Sequence, residues 1–447
     1  MMKYDSDRVE QYFPTYRLLQ KGNRDIALAE YAAANSSLAD EQKLFNASAN
    51  IVIVVVSVIT SCLIGANKLQ SDGILAFLSD NALYASLFLF ANVFTTLAFL
   101  MFLGQRQKEI NFAARKVIVL RRLLGLSYGR VHMVLPTWRV EAADEPFSVR
   151  PFMGWMQYKN FPAYLISLCS SFLYVYIGGG YTSSDFFLGI FFFMHCTFLI
   201  FMYRVFLFDH HENVFLLFSK VLSKVLKLHL VSNFEYIIYR SKLQTHEIHR
   251  MNLNCHNVIN SLIFLEDRRF FVHGGISYLS VCRALFFRVY KGKKSGASTI
   301  SQQLARTLFI EDFRFPVRRK LVEAMLSFWL ERAFLKQDIL YMYIGSVRYE
   351  KDTFGILDAM KLFFEKIVDY PSVAQSFFLI ERVSNVNSKL LGGKVYVNIR
   401  DAKKKGLLSD ADVIELLKIY DKQISRNLIS EVNGFGISRI REKMNIE

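Results

Sequence analysis

Four long apolar stretches constrain this chain of 447 residues more than any other feature of its sequence. Residues 44–67, 81–105 and 160–184 contain no Asp, Glu, Lys or Arg, and a fourth run, Phe186–Tyr203, follows a single acidic residue. A helix needs about 20 such residues to cross the hydrocarbon core of a bilayer. Buried core helices are the alternative, but four uncharged runs of this length favour membrane-spanning helices.

The charge and the cysteines narrow the choice of partners. A net charge of +16 suits either nucleic acid or anionic lipid. Because spanning segments are predicted, membrane lipid headgroups or a pyrophosphate substrate are the expected partners, and nucleic acid is not. The five cysteines show neither CxxC nor Cys/His ligand spacing, so neither a disulfide framework nor a zinc site is predicted. The first 43 residues are polar and charged, so no secretory signal is expected.

Changes in composition divide the chain into five segments. They are a polar N-terminal segment (1–43), a membrane region (44–205), an amphipathic membrane-proximal connector (206–250), a helical module (251–390) and a helical C-terminal tail (391–447). In the connector, Lys220, Lys224 and Lys227 recur at helical spacing within an apolar run. That pattern fits a helix in an anionic membrane interface or an ordinary amphipathic helix.

The loop charges predict an orientation in the membrane. The loop 106–159 holds ten Lys or Arg against four acidic residues, whereas residues 68–80 hold one Lys and two Asp. Basic loops remain in the cytoplasm, so four spans would place both chain termini on that side. The C-terminal module is therefore expected to be cytoplasmic.

A carboxylate lies on an apolar helical stripe at the start of the module. The stripe consists of Ile259, Leu262, Ile263, Glu266 and Phe270. A carboxylate that is partly desolvated is a better proton acceptor, which suits a general base. Taken alone, however, the pattern favours a glutamate at a helix end that reaches water or pairs with Arg269.

Polar groups suited to an anion follow in the next helix. Thr299 and Gln302 have the spacing of a capping box, which marks a helix N-terminus. Thr299, Gln303 and Arg306 share one face of that helix, where their hydroxyl, amide and guanidinium can hold phosphate oxygens. A capped surface helix is the alternative interpretation.

A third element opens a longer helix. Arg319 and Glu323 lie one turn apart on the same face of this helix. They fit a surface ion pair equally well as a second acid with its charge partner.

In this order the three elements resemble motifs of glycosyltransferase family 51, the peptidoglycan transglycosylases. Glu266-Asp-Arg-Arg-Phe-Phe-Val-His273-Gly-Gly275 is similar to E-D-x-x-F-x-x-H-x-G. Gly296-Ala-Ser-Thr-Ile-Ser-Gln-Gln303 is similar to G-x-S-T-I-x-Q-Q, and Arg319-Lys-Leu-Val-Glu323 to R-K-x-x-E. The segments Lys336–Tyr343 and Gly355–Lys366 approximate a fourth and a fifth block, so the resemblance covers about 250–390.

The resemblance implies a lysozyme-like, mostly α-helical glycosyltransferase domain, which would follow the four transmembrane helices predicted from the apolar stretches, so the whole chain is expected to be mostly α-helical. It implies an enzyme of the bacterial cytoplasmic (inner) membrane that acts on an undecaprenyl-pyrophosphate-linked disaccharide, lipid II, with inversion. Glu266 would be the general base, and Glu323 would orient the donor side. The acceptor pocket would be shaped by Asp267, Phe270 and His273. Ser298 belongs with the substrate-binding residues, and the leaving pyrophosphate would be stabilised by Thr299, Gln303, Arg306, Arg319 and Lys320.

The chain departs from the family pattern at several supporting positions. Ser277, Thr307, Tyr341, Gly345, Glu365 and Gln375 stand where Asp, Asn, Glu, Asn, Gly and an acid are usual. The residues assigned as base and as pyrophosphate ligands are retained. These departures leave altered specificity, slow turnover and a role in binding alone open.

The sequence is therefore compatible with three classes of function. The first is a membrane-bound glycosyltransferase, although enzymes of this family act on the outer face of the membrane. The second is a catalytically altered lipid II-binding effector or regulator, since two spans, a basic loop and two spans resemble the layout of membrane effectors in bacterial defence systems. The third is a glycan hydrolase, which needs a second carboxylate within about 5–10 Å. A divalent cation and an oligomeric state are left open.

Overall fold

The computed structural model describes residues 21–68, 81–125, 149, 157–178, 185–208, 214–231, 234–277, 298–311, 314–385, 388–431 and 436–444. The chain is divided into two compact units between Glu212 and Asn213. We call Gln20–Glu212 the membrane unit and Asn213–Glu447 the C-terminal unit.

The membrane unit contains four helices that are long and apolar enough to cross a membrane. They are α1 (Lys21–Lys68), α2 (Ala82–Leu123), α3 (Phe161–Gly178) and α4 (Asp185–Leu207). The prediction of four helices of membrane-spanning length ahead of a helical domain is confirmed. Residues 21–43 of the polar N-terminal segment continue α1 without a break, because that stretch is rich in alanine and lacks proline.

An antiparallel seam joins α1 and α2. Some buried residues of α2 recur at alternating spacings of four and three: Thr96, Leu100, Leu103, Gln107, Ile110, Ala114 and Val117. Other buried residues of α2, such as Gly104, lie between them, because α2 also packs against α3 and α4. The ion pairs Lys116–Glu30 (2.5 Å) and Arg106–Glu41 (3.2 Å) continue the pairing beyond the apolar stretches.

A close contact and a buried hydrogen bond join α2 to α4. A Cβ atom added at Gly104 of α2 would lie 3.3 Å from Cβ of Phe206. One turn further along α2, Gln107 Oε1 accepts a 2.6 Å hydrogen bond from the buried hydroxyl of Tyr203. Small residues and buried polar pairs are the usual means by which helices associate in a membrane.

The C-terminal unit packs helices around one hydrophobic core. In chain order these helices are α5 (Val214–Val225), α6 (Phe234–Arg250), α7 (His256–Glu266), α8 (Ile300–Phe309), α9 (Pro316–Ala333), α10 (Lys336–Ser346), α11 (Ile356–Phe364), α12 (Val373–Val383), α13 (Gly392–Lys404), α14 (Asp410–Ser425) and α15 (Ile437–Met444). Two short sheets accompany them: β1 (Arg348–Glu350) is antiparallel to β2 (Thr353–Phe354), and β3 (Lys389–Leu390) is parallel to β4 (Ser430–Glu431).

The connector lysines do not form the single face that their spacing suggested. Lys220 and Lys224 lie in α5, whereas Lys227 follows its end in a left-handed turn with φ of 52°. Lys220 lies 5.2 Å from the centre of the Phe234 ring, so it packs against the unit itself. The apolar side chains of Val221 and Val225 on α5 are exposed.

Residues 391–447 contribute to the same core as the helices before them. Val395 of α13 and Leu416 of α14 are fully buried within it. The hydroxyl of Tyr420 donates a 2.7 Å hydrogen bond to Oε2 of the buried Glu381 on α12. This C-terminal segment therefore supports the fold that carries the candidate site.

We expect Gly104→Leu to weaken the packing of α2 on α4, because the new side chain would overlap Phe206. Overpacking of this kind costs about 1–3 kcal/mol, which would lower the melting temperature of the full-length protein in detergent. Gly189→Leu on α4 is the matched control, since nothing lies within 4 Å of the Cβ that it adds. Equal melting temperatures for the two variants would contradict the α2–α4 contact.

Candidate active site

The carboxylate of Glu266 is half-buried at the last residue of α7. Helix α7 is held in place by Val258 and Leu262, which are fully buried, and by packing against α12. Gln303 Nε2 on α8 donates a 2.7 Å hydrogen bond to Oε2 of Glu266. The other carboxylate oxygen of Glu266, Oε1, accepts no hydrogen bond from the residues that the structure describes. One oxygen is thus oriented by the protein while the second stays available.

Tyr343 of α10 determines how the Gln303 amide is turned. Its hydroxyl donates a 2.8 Å hydrogen bond to Gln303 Oε1, which leaves the amide N–H groups to face Glu266. Burial, together with the negative charge of Glu266, raises the pKa of Tyr343 well above its usual value. The phenol therefore remains a donor at neutral pH. The positive charge of Arg306 acts on this pKa in the opposite direction, which places a cation close to the same pair.

Asp267 joins the loop after α7 to the first turn of α8. Its Oδ2 accepts hydrogen bonds from Nε2 of His273 (2.8 Å) and from the backbone N–H of Ile300 (3.3 Å). The N–H of Gly275 donates to Nδ1 of the same histidine (3.2 Å). Because a backbone N–H can only donate, the imidazole proton is on Nε2, where it is shared with Asp267. The side chains of Asp267 and His273 are both almost fully buried.

The capping box predicted at the start of α8 is confirmed. Thr299 Oγ1 accepts from the N–H of Gln302, and Gln302 Oε1 accepts from the N–H of Thr299, both at 3.2 Å. The Thr299 hydroxyl also donates a 2.6 Å hydrogen bond to the carbonyl oxygen of Gly275. This bond commits the hydroxyl proton of Thr299 to the loop after α7, residues 267–277, which we call the motif loop. The proton would have to be released for Thr299 to donate to a phosphate.

A second group of charges lies at the start of α9. Glu323 is fully buried, with its Oε1 3.0 Å from Nε of Arg319 and its Oε2 2.7 Å from Nζ of Lys320. Lys320 Nζ also donates a 2.5 Å hydrogen bond to Oγ of Ser298. Glu323 is thus a buried, doubly paired carboxylate. Within the described ranges, no cluster of three His, Cys, Asp or Glu side chains is suited to hold a metal ion.

Hydrogen bonds in the structure join Glu266 to Gln303 and Gln303 to Tyr343. In contrast, Phe270, which was predicted to shape the acceptor pocket, lies in the core. The ring of Phe270 is fully buried in the core, 4.3 Å from Nζ of Lys336. Tyr343 was missed as a site residue, although it ends the fourth motif block. Its role depends on the packing of α10 against α8, which the spacing of residues along one segment does not reveal.

Two of the residues that depart from the family pattern, Tyr341 and Gly345 of α10, face helix α6. The ring of Tyr341 lies 4.5 Å from the ring of His249. A Cβ atom added at Gly345 would lie 3.1 Å from Cγ of Gln244, so this α6 side chain occupies the space of a larger residue. Both positions belong to the contact between α10 and α6 rather than to the surroundings of Glu266.

The departures at residues 365 and 375 also have local structural roles. Glu365 ends α11 in the left-handed conformation, with φ of 64°, which explains why glycine is usual there. Its carboxylate pairs with Arg426 of the C-terminal segment (3.2 Å). Gln375 forms a capping box with Ser372 at the start of α12, and a Gln serves this purpose as well as a Glu.

Comparison with known proteins identifies the same family as the sequence motifs. The family model described as Transglycosylase matches residues 235–398. The resemblance to that family, predicted for about 250–390, is confirmed. This match includes the helices α7 to α10 that form the candidate site.

Curated relatives match the same part of the chain. Penicillin-binding protein 1A of Rickettsia felis is 31% identical over 127 residues, which are 28% of this chain and 16% of that protein. A Cupriavidus necator protein named for a transglycosylase is 34% identical over 119 residues, 27% of this chain and 51% of that protein. Penicillin-binding protein 1A of Clostridium tetani is 39% identical over 129 residues, 28% of this chain and 16% of that protein. The chain thus spans about half, or less, of the length of these relatives.

We expect Gly275→Ala to disrupt the motif loop, because Gly275 has a φ of 99° and an added Cβ would lie 3.0 Å from the backbone of Ser327. A non-glycine residue in this region costs about 1–3 kcal/mol, so the melting temperature should fall. Gly274→Ala is the matched control, since its added Cβ meets nothing within 4 Å. A loss for Gly274→Ala as large as for Gly275→Ala would contradict this account.

Proposed function

We propose that this chain, whose residues 235–398 form a transglycosylase domain, is a membrane-bound glycosyltransferase acting on a lipid II-type substrate. In that substrate a disaccharide is linked through pyrophosphate to an undecaprenyl chain. The penicillin-binding protein relatives support a place in peptidoglycan synthesis.

The arrangement around Glu266 carries the proposal. A general base must present one free oxygen in a fixed position to the hydroxyl that it deprotonates. Gln303 holds Oε2 of Glu266, while Oε1 accepts nothing from the described residues. Tyr343 in turn holds Gln303. The base is therefore preorganised without being blocked.

The proposed step is an inverting displacement at the donor sugar. Glu266 takes the proton from the 4-hydroxyl of the acceptor sugar as its oxygen attacks the anomeric carbon of the donor. The bond between that carbon and the pyrophosphate oxygen breaks, and the lipid pyrophosphate leaves with the electron pair. The products are a glycan longer by one disaccharide and the undecaprenyl pyrophosphate.

Cations near α8 and α9 suit the charge that develops on the leaving group. Arg306 is half-buried and forms no salt bridge with another residue in the described part of the chain. Lys320 and Arg319 are held by Glu323, which we assign to orienting these cations on the donor side. A water-driven hydrolase would have less need of such a cluster.

A lipid-binding effector without turnover is the second candidate, favoured by the departures from the family pattern. The structure weakens that argument at Tyr341 and Gly345, which contact α6 rather than the surroundings of Glu266. Gln375 and Glu365 have capping and turn roles. We therefore favour an active enzyme.

We expect Glu266→Gln to abolish glycan polymerisation, because an amide cannot accept the proton from the acceptor hydroxyl. The measurement is chain formation from purified lipid II by the full-length protein in detergent or nanodiscs, together with lipid II binding, which should be retained. Glu442→Gln, at an exposed position of α15, is the control and should polymerise at the parental rate.

A Glu266→Gln variant that polymerises at the parental rate would refute the assignment of the base. Wild-type protein that binds lipid II with high affinity but forms no glycan would instead support the effector function.

The four apolar helices and the relatives suggest a protein of the inner membrane. We propose that its C-terminal unit is cytoplasmic, because the loop 106–159 carries ten basic residues against four acidic ones. Enzymes of this family, in contrast, usually act on the outer face of the membrane. A cytoplasmic site would meet the inner-leaflet pool of the same lipid.

We expect a cysteine placed by Tyr370→Cys, in a background without the five native cysteines, to be protected from an impermeant maleimide in intact spheroplasts. Tyr370 is 74% exposed in the C-terminal unit, so only the membrane should prevent its labelling. Labelling after lysis is the control for reactivity. Labelling before lysis would reverse the orientation and restore an outer-face enzyme.

A further inference from the structure

Lys336, the first residue of α10, reaches back to the loop that follows Glu266. Its Nζ donates hydrogen bonds to the carbonyl oxygens of Phe270 (2.7 Å) and His273 (2.6 Å). The same ammonium lies 2.7 Å from Oε2 of Glu331 on α9. An ammonium has three donors, and all three are directed at protein atoms.

Glu331 extends the contact to the helix on the other side of the loop. Its Oε1 accepts a hydrogen bond from Oγ of Ser301, in the first turn of α8. The side chain of Glu331 is only 7% exposed and that of Lys336 is 24% exposed. Ser301 occupies a variable position of the second motif, and Glu331 lies outside every motif described above.

Removing the ammonium would take away the Lys336 donor from two carbonyl oxygens and would leave the buried carboxylate of Glu331 with only the hydroxyl of Ser301. Unpaired buried groups of this kind are unfavourable, and the surroundings move to relieve them. The residues that lose this support are those of the loop 268–273, between Asp267 and Gly275. A movement there shifts Glu266 relative to Gln303, because the loop begins at the residue after the base.

We propose that Lys336 is a positioning residue of the transferase site, acting with Glu331 and Ser301 as a clamp between the motif loop and α8. It sets the position of the base against the helix that carries Gln303 and Arg306. Lys336 contacts the protein, not the substrate. The inference deepens the proposed glycosyltransferase function and rests on it for its kinetic consequence only.

The kinetic test compares Lys336→Met with the parent protein in lipid II polymerisation. Misplacement of a base lowers kcat by about 10- to 100-fold, while KM should change less than about threefold, because no substrate contact is lost. In a background without native cysteines, Lys336→Cys treated with bromoethylamine restores an ammonium at nearly the same position and should recover kcat. Lys361→Met, at an exposed lysine of α11, is the control.

A structural test is independent of activity. Hydrogen–deuterium exchange of the full-length protein should show faster exchange in residues 267–277 of Lys336→Met, with α13 and α14 unchanged. Unchanged exchange in the loop, unchanged kcat, or a variant that bromoethylamine does not rescue would each overturn the inference. If the wild-type protein forms no glycan while the loop exchange still rises, the clamp stands and the proposed function falls.

Discussion

The carboxylate of Asp267 is the interaction on which the candidate site depends. It accepts hydrogen bonds from the imidazole of His273, from the N–H of Ile300 and from the N–H of Arg269. These donors belong to the motif loop and to the start of α8, which are separated in sequence by more than 20 residues. Because an almost fully buried carboxylate without donors is costly, the loop and the helix are stable only together. The contact between Gln303 and Glu266 exists because that junction holds.

The sequence alone predicted those features that depend on residues close together in the chain. The apolar runs predicted α1 to α4, the capping-box spacing predicted the start of α8, and three ordered motifs predicted the transglycosylase family. The hydrogen bond from Tyr343 to Gln303 spans 40 positions and depends on the packing of α10 against α8. The clamp formed by Lys336 joins three elements. Such contacts follow from tertiary packing, which no spacing within one segment encodes.

The positions at which the chain departs from the family pattern show that some motif residues serve the fold and others the site. Tyr341 and Gly345 fit the surface of α6, and Glu365 occupies a backbone position that glycine would take without strain. Arg426 compensates at that turn: besides pairing with Glu365, it donates to the carbonyl oxygen of Phe363 (2.8 Å). The C-terminal segment can thus accommodate a change at a motif position that lies away from Glu266.

The seam between α1 and α2 has a mechanical consequence for the bilayer around it. Both helices continue without a break past their apolar stretches, and the ion pairs Arg106–Glu41 and Lys116–Glu30 join them there. A kink at the level of the lipid headgroups would break these contacts. We therefore expect a bilayer thinner or thicker than the apolar stretches to be matched by a tilt of the pair or by deformation of the lipids.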